Sequence, residues 1–186
     1  MNAEIEAIKI SLEDFRAKRA SINEIIRKEE EIENEEESHS ILLSKDDKED
    51  IEFLLSIEPK VHNKEVLRKL IWSTYISKPF TDMINRQFGS NIPKCVIYCI
   101  ERKDNHKKYI GKTVAEVNKR WTEHFKSSLN IGTISHQKIH EALFGHWDEF
   151  LFSVIEIVDK DQINEREKYY IKFFESDIYG YNIKKG

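Results

Sequence analysis

The sequence has few cysteines and no long apolar run, and each shortage excludes something. No stretch of about 18 apolar residues is present, so no membrane-spanning helix is expected. The start of the chain lacks the basic-then-apolar order of a secretory signal. Only two cysteines occur, Cys95 and Cys99. They lie four apart in one predicted strand, on one face and too far along it for an easy disulfide. A zinc site would need more ligands nearby, so both thiols read as packing residues of a chain in a reducing cytoplasm. No internal repeat is visible, and the first half carries no recognisable DNA-binding motif.

The chain has 186 residues, 39% hydrophobic and 34% charged, enough for one domain with an extension or for two small domains. The net charge of −4 is unevenly spread. Residues 1–93 carry 14 Lys and Arg against 20 Asp and Glu. Residues 94–186 carry 16 against 14, together with five of the seven histidines. If either half touches a polyanion, the second is the candidate, through local patches such as Lys107, Lys108 and Lys112.

Periodicity divides the chain into three regions. Residues 1–45 hold a helix, about 3–28, and an acidic linker. Ile5, Ile8, Leu12, Phe15, Ile22 and Ile26 follow a heptad pattern that Arg19 interrupts, which makes this helix the place for a possible homodimer. Seven glutamates between Glu29 and Glu37 repel one another and read as a solvated helix end or linker. Residues 46–92 form a helical region of unknown role. One helix there includes Ile51, Phe53 and Leu54 and is interrupted by Pro59. A second spans Asn63 to Ser77, and Pro79 permits a fresh start. Gly89, Ser90, Asn91 and Pro93 mark the boundary before the third region, 93–186.

The third region opens with two β-rich runs, Cys95–Ile100 and Lys108–Ile110, around the polar link Arg102–His106, which predicts a β-hairpin. Helices follow over Val114–Ser128 and from an N-cap at Ser135 to Gly145. A strand over Phe150–Val158 and a helix over Asp161–Phe174 complete the order β-β-α-α-β-α. The fold class is α+β: a small antiparallel sheet with flanking helices, preceded by a mostly helical N-terminal region.

Val96-Ile97-Tyr98 in the first strand and Tyr109-Ile110-Gly111 in the second resemble the paired signature of the GIY-YIG nuclease superfamily, with Val96 in place of the first glycine. Arg120-Trp121, His124, Glu167 before Tyr170-Ile171, and Gly180-Tyr181-Asn182 continue the resemblance over residues 94–184. It implies a divalent-metal-dependent DNA endonuclease that hydrolyses phosphodiester bonds by water attack. Such chemistry must deprotonate water and neutralise charge on phosphate and leaving oxygen. Tyr98 is similar to the tyrosine proposed as general base in the family, and Lys112 could supply the field that lowers its pKa. Tyr109 would orient water or phosphate, and Arg120 would clamp the phosphate with its guanidinium fork. His124, on the same side of its helix as Arg120, would position the nucleophile or accept a proton. Glu167 is the implied ligand for Mg²⁺ or Mn²⁺. Glu165 lies about 200° around the same helix and reads as a solvated neighbour. Lys112 and Asn182 complete the set as substrate-binding residues. The competing readings are a catalytically silent nucleic-acid-binding module with the same fold, and a regulatory protein working through its acidic first half.

Overall fold

The computed structural model describes residues 35–60, 62–132 and 134–183, together with Ser21, Glu24 and Glu31. The chain divides into two compact units, Met1–Glu37 and Ser38–Gly186. Within the first, Ser21, Glu24, Glu31 and Glu35–Glu37 are helical and exposed. The expected heptad positions Ile5 to Ile26 lie outside the described residues.

The second unit begins with helices. Helix α1 (Lys45–Ile57) starts at a capping box: the Asp47 amide donates to Ser44 Oγ and the Ser44 amide donates to the Asp47 carboxylate. Helix α2 (Lys64–Ile71) is capped by Asn63, whose Oδ1 accepts from the Val66 amide. The chain then stays helical. A π-turn over Trp72–Ile76 leads directly into α3 (Ser77–Phe88). The fresh start expected at Pro79 falls at Ser77, and the π-turn joins the two helices without a gap. Pro79 is the third residue of α3, which begins directly after the π-turn.

A three-stranded antiparallel sheet follows, in the order β2-β1-β3. Strands β1 (Val96–Arg102) and β2 (Lys108–Thr113) form the expected hairpin, with Tyr98 opposite Gly111 and Ile100 opposite Tyr109. Cys95 stands just before β1 with a φ of 51°, so the two cysteines do not share the strand. Helix α4 (Val117–Ser128), the short helix α5 (Lys138–Leu143), strand β3 (Phe150–Ile157) and helix α6 (Ile163–Phe173) complete the order. Strand β3 carries one extra residue, Ile155, against the Ile97–Tyr98 step of β1. Such a bulge twists the strands locally at the point where Tyr98 is presented.

Alternation along β1 separates two cores. Val96, Tyr98 and Ile100 join a large cluster with Ile51, Ile71, Phe80, Met83, Trp121, Phe125 and Phe152. Ile97 and Cys99 pack with Ile110, Val158 and Ile163 under α6. Residues 38–92 therefore share one core with the sheet. Phe80 meets Phe125 edge to face at 5.1 Å, and Phe88 lies 6.0 Å from Trp121. At the end of α4, the buried Trp147 indole donates to Ser128 Oγ at 2.9 Å, and that hydroxyl donates to the Phe125 carbonyl. Ser128→Ala leaves the indole N–H without a partner and should cost about 1–3 kcal/mol, read as a lower midpoint in urea with an unchanged slope. An unchanged midpoint would contradict the assignment. Among the described residues no helix is long and apolar enough to cross a membrane.

Candidate functional site

Four of the polar side chains singled out from the sequence meet on the large-core face of the hairpin. Tyr98 is completely buried, and its hydroxyl lies 2.7 Å from Nε2 of His124. Arg120, one helical turn before His124 on α4, donates from Nε to the same hydroxyl at 3.3 Å. The Tyr109 ring lies 5.2 Å from the His124 ring and 6.3 Å from that of Tyr98. Diagonal pairing of Tyr98 and Tyr109 across the hairpin and a step of four along α4 bring these groups together.

The electrostatics of this cluster are set first by burial. Burial pushes the Tyr98 phenol far above its usual range; Arg120 opposes the shift and Glu167 adds to it. Tyr109 is raised for the same first reason, again with Arg120 opposing and Glu167 adding. Burial, then Arg120 and His140, hold His124 well below the ordinary histidine value, so its imidazole is neutral. Arg120 keeps its charge despite burial, helped by the two tyrosines and by Glu123. Its side chain is 35% exposed and donates from Nη1 to Glu123 Oε2 at 2.6 Å. The cation against Tyr98 is thus Arg120.

Lys112 projects to the other face of β2, where its ammonium donates to Glu167 Oε2 at 2.7 Å and to Asn164 Oδ1 at 2.6 Å. Glu167 and Lys112 form a pair beside α6. The negative carboxylate of Glu167 adds to the upward shift of both phenols. The Glu167 side chain is 19% exposed, whereas Glu165 is exposed on the solvent side of α6. Among the described residues no three His, Cys, Asp or Glu side chains gather into a metal cluster.

Asn182 is buried with both amide atoms engaged. Its Oδ1 accepts from the Ile110 amide and its Nδ2 donates to the Ile110 carbonyl, each at 2.8 Å. The Tyr181 amide bonds the Lys108 carbonyl beside it. The C-terminal segment therefore covers the free edge of β2 and fixes Ile110, which stands between Tyr109 and Gly111. Two further residues belong to the cluster. His140 on α5 places Nε2 2.8 Å from His124 Nδ1, and its own Nδ1 lies 2.6 Å from Ser135 Oγ. Ser135 does not cap a helix, since α5 begins at Lys138 after Gln137. Gly111 matters for its lack of a side chain: a Cβ there would stand 2.7 Å from Tyr98 Cε2 and nearer still to Cζ and the hydroxyl oxygen.

The family described as the GIY-YIG catalytic domain matches residues 94–182. Intron-associated endonuclease 1 of Enterobacteria phage T4 is 39% identical over 92 residues, which are 48% of this chain and 37% of that protein. The chain thus spans well under half the length of that relative. Two solved structures of the catalytic domain of the homing endonuclease I-TevI are also similar. One is 36% identical, covers 50% of this chain and all of the solved chain, and has a TM-score of 0.44. The other, a mutant form, is 35% identical over 48% of this chain and 93% of the solved one, with a TM-score of 0.42. Through residues 94–182, the chain belongs to the GIY-YIG nuclease superfamily.

Proposed function

We propose that the protein is a divalent-metal-dependent DNA endonuclease that hydrolyses phosphodiester bonds by water attack. The observation that carries this reading is the Tyr98 hydroxyl, held between the Arg120 guanidinium and the neutral His124 in a chain of this family. Its similarity to intron-associated endonuclease 1 points the same way.

Arg120 is the phosphate ligand: partly exposed, permanently charged, and able to exchange the Glu123 carboxylate for phosphate oxygens. Tyr98 holds the attacking water. Its raised pKa keeps the phenol protonated at rest, so a proton taken from water must be matched by the phenol proton moving to His124 Nε2. Tyr109 orients water or phosphate beside it. The single carboxylate of Glu167, partly open to solvent, suits Mg²⁺ or Mn²⁺, which take one or two carboxylates and fill their shells with water and substrate phosphate. A bound ion of this kind would polarise the phosphate and stabilise the leaving oxygen. Lys112, released from Glu167, then serves the substrate phosphates. Asn182 acts at one remove, by holding the β2 backbone.

The test is nicking of supercoiled plasmid by the purified full chain. Cleavage should appear with Mg²⁺ or Mn²⁺ and vanish with EDTA. Undiminished cleavage in EDTA would overturn the metal requirement, and DNA binding without cleavage would favour the catalytically silent module. Residues 1–37 form a separate unit, so a chain lacking them should still nick DNA. A folded but inactive product would contradict that separation. The heptad stripe makes residues 3–28 the place where two copies could meet, which light scattering of the two chains decides. A reducing cytoplasm suits the two unpaired thiols, of which Cys99 is buried with its pKa pushed up to about 12.

A further inference from the structure

We infer that His140 is a positioning residue for the reaction: it fixes the tautomer of His124 so that Nε2 is free to accept from the Tyr98 hydroxyl. This rests on the nuclease reading for its catalytic consequence, though not for the tautomer itself.

The geometry is a continuous chain, buried at Tyr98, His124 and His140 and half-buried at Ser135. Tyr98 Oη, His124 Nε2, His124 Nδ1, His140 Nε2, His140 Nδ1 and Ser135 Oγ follow one another with contacts of 2.7, 2.8 and 2.6 Å between side chains. A neutral imidazole has one donor and one acceptor nitrogen, so setting one contact sets the rest. Arg120 already donates to the Tyr98 oxygen, and the Gln137 amide donates to Ser135 Oγ at 3.4 Å. The arrangement that gives the phenol proton an acceptor runs outward. Tyr98 donates to His124 Nε2, His124 Nδ1–H donates to His140 Nε2, and His140 Nδ1–H donates to Ser135. In the opposite arrangement His124 Nε2–H would point at an oxygen that Arg120 already serves, and the phenol proton could not leave in this direction.

His140 is well placed to hold that choice. It is 6% exposed, lies on α5 between the buried Ile139 and Leu143, and borders a cavity of about 220 Å³ lined also by Arg68, Ser128, Asn130 and Ser135. Burial, then Arg120, lower its pKa to about 4, so it stays neutral alongside His124 at neutral pH. Two imidazoles that are both neutral at rest keep a fixed tautomer, with His124 Nε2 open to the phenol proton.

The test uses the full chain with His140→Gln and His140→Leu. A glutamine oxygen can stand where His140 Nε2 stands and accept from His124 Nδ1–H; leucine cannot. Two-bond ¹⁵N–¹H correlation spectra of the histidine rings read the His124 tautomer with no need for activity. The native chain and His140→Gln should show His124 protonated at Nδ1, and His140→Leu should lose that preference. In single-turnover cleavage His140→Gln should stay within about threefold of native, and His140→Leu should fall about 10- to 100-fold, as when the partner that orients a functional histidine is removed. Native His124 protonated at Nε2 overturns the inference. So does a His140→Leu chain with native rate and native tautomer, or a His140→Gln chain that keeps the tautomer yet loses as much rate as leucine. If the native chain cleaves nothing, the nuclease reading fails while the spectra still decide the role of His140.

Discussion

Glu167→Ala should abolish DNA cleavage, with a loss of at least about a thousandfold, while DNA binding holds or tightens. A carboxylate that anchors a Lewis acid is worth several kcal/mol in the transition state, and each 1.4 kcal/mol is about tenfold in rate. Binding should not suffer, because the substitution removes a negative charge near bound phosphates and frees Lys112, whose ammonium is held 2.7 Å from Glu167 Oε2. Glu165→Ala is the control. That side chain is exposed, and its loss should matter no more than an ordinary surface change. Single-turnover cleavage and gel-shift affinity of both variants, with circular dichroism for folding, make the measurement. Reversed phenotypes would move the metal ligand to Glu165, and full activity in both would remove the pair from the mechanism.

Gly111→Ala should be nearly as damaging, through Tyr98. The added methyl would overlap the tyrosine ring at its reactive end. The ring cannot simply swing away, because Trp121, His124 and Tyr109 surround it at 6.2, 5.8 and 6.3 Å between ring centroids. Overpacking of this kind costs about 1–3 kcal/mol of stability. A catalytic group displaced by about 1 Å can lose about a hundredfold in rate. The variant should therefore melt lower and, where folded, cleave about a hundredfold more slowly than native. Native cleavage by Gly111→Ala would show that the position of the Tyr98 hydroxyl does not limit the reaction. Val96, which stands where the paired signature has its first glycine, is the first residue of β1, fully buried and paired with Thr113 and Ile157.

Local chemistry made the hairpin and the order of elements legible in the sequence, and the resemblance to the GIY-YIG superfamily picked out the tyrosine–arginine–histidine set. Strand formers flanking Asp104-Asn105 announce the hairpin, and a spacing of four on one helix places Arg120 beside His124. The rest depends on contacts between distant residues. His140 meets His124 across a 16-residue gap on a helix of only six residues, with no motif around it. Ser135 has the look of a helix cap, and only the fold turns its hydroxyl to His140 instead. Asn182 carries a polar amide suited to substrate, yet the edge strand claims both of its hydrogen-bonding atoms 72 residues away. Lys112 suggested a field for Tyr98, but strand alternation sends it to the opposite face and onto Glu167. Pro79 suggested a fresh start, and the π-turn that joins it to the preceding helix cannot be read from composition. The aromatic residues of the helical segment signalled a core. That this core is the one beneath Tyr98 follows only from Phe80 and Phe88 reaching Phe125 and Trp121.

The central claim is hydrolysis of DNA by water activated at Tyr98, and isotope labelling reads it most directly. The full chain would cleave a defined duplex with Mg²⁺ in H₂¹⁸O under single-turnover conditions, with mass spectrometry of the product ends. Water attack predicts one ¹⁸O on the phosphate at each cleaved bond, and a Tyr98→Phe chain that yields little or no labelled product. Cleaved ends without ¹⁸O, or labelled product formed at the native rate by Tyr98→Phe, would contradict it.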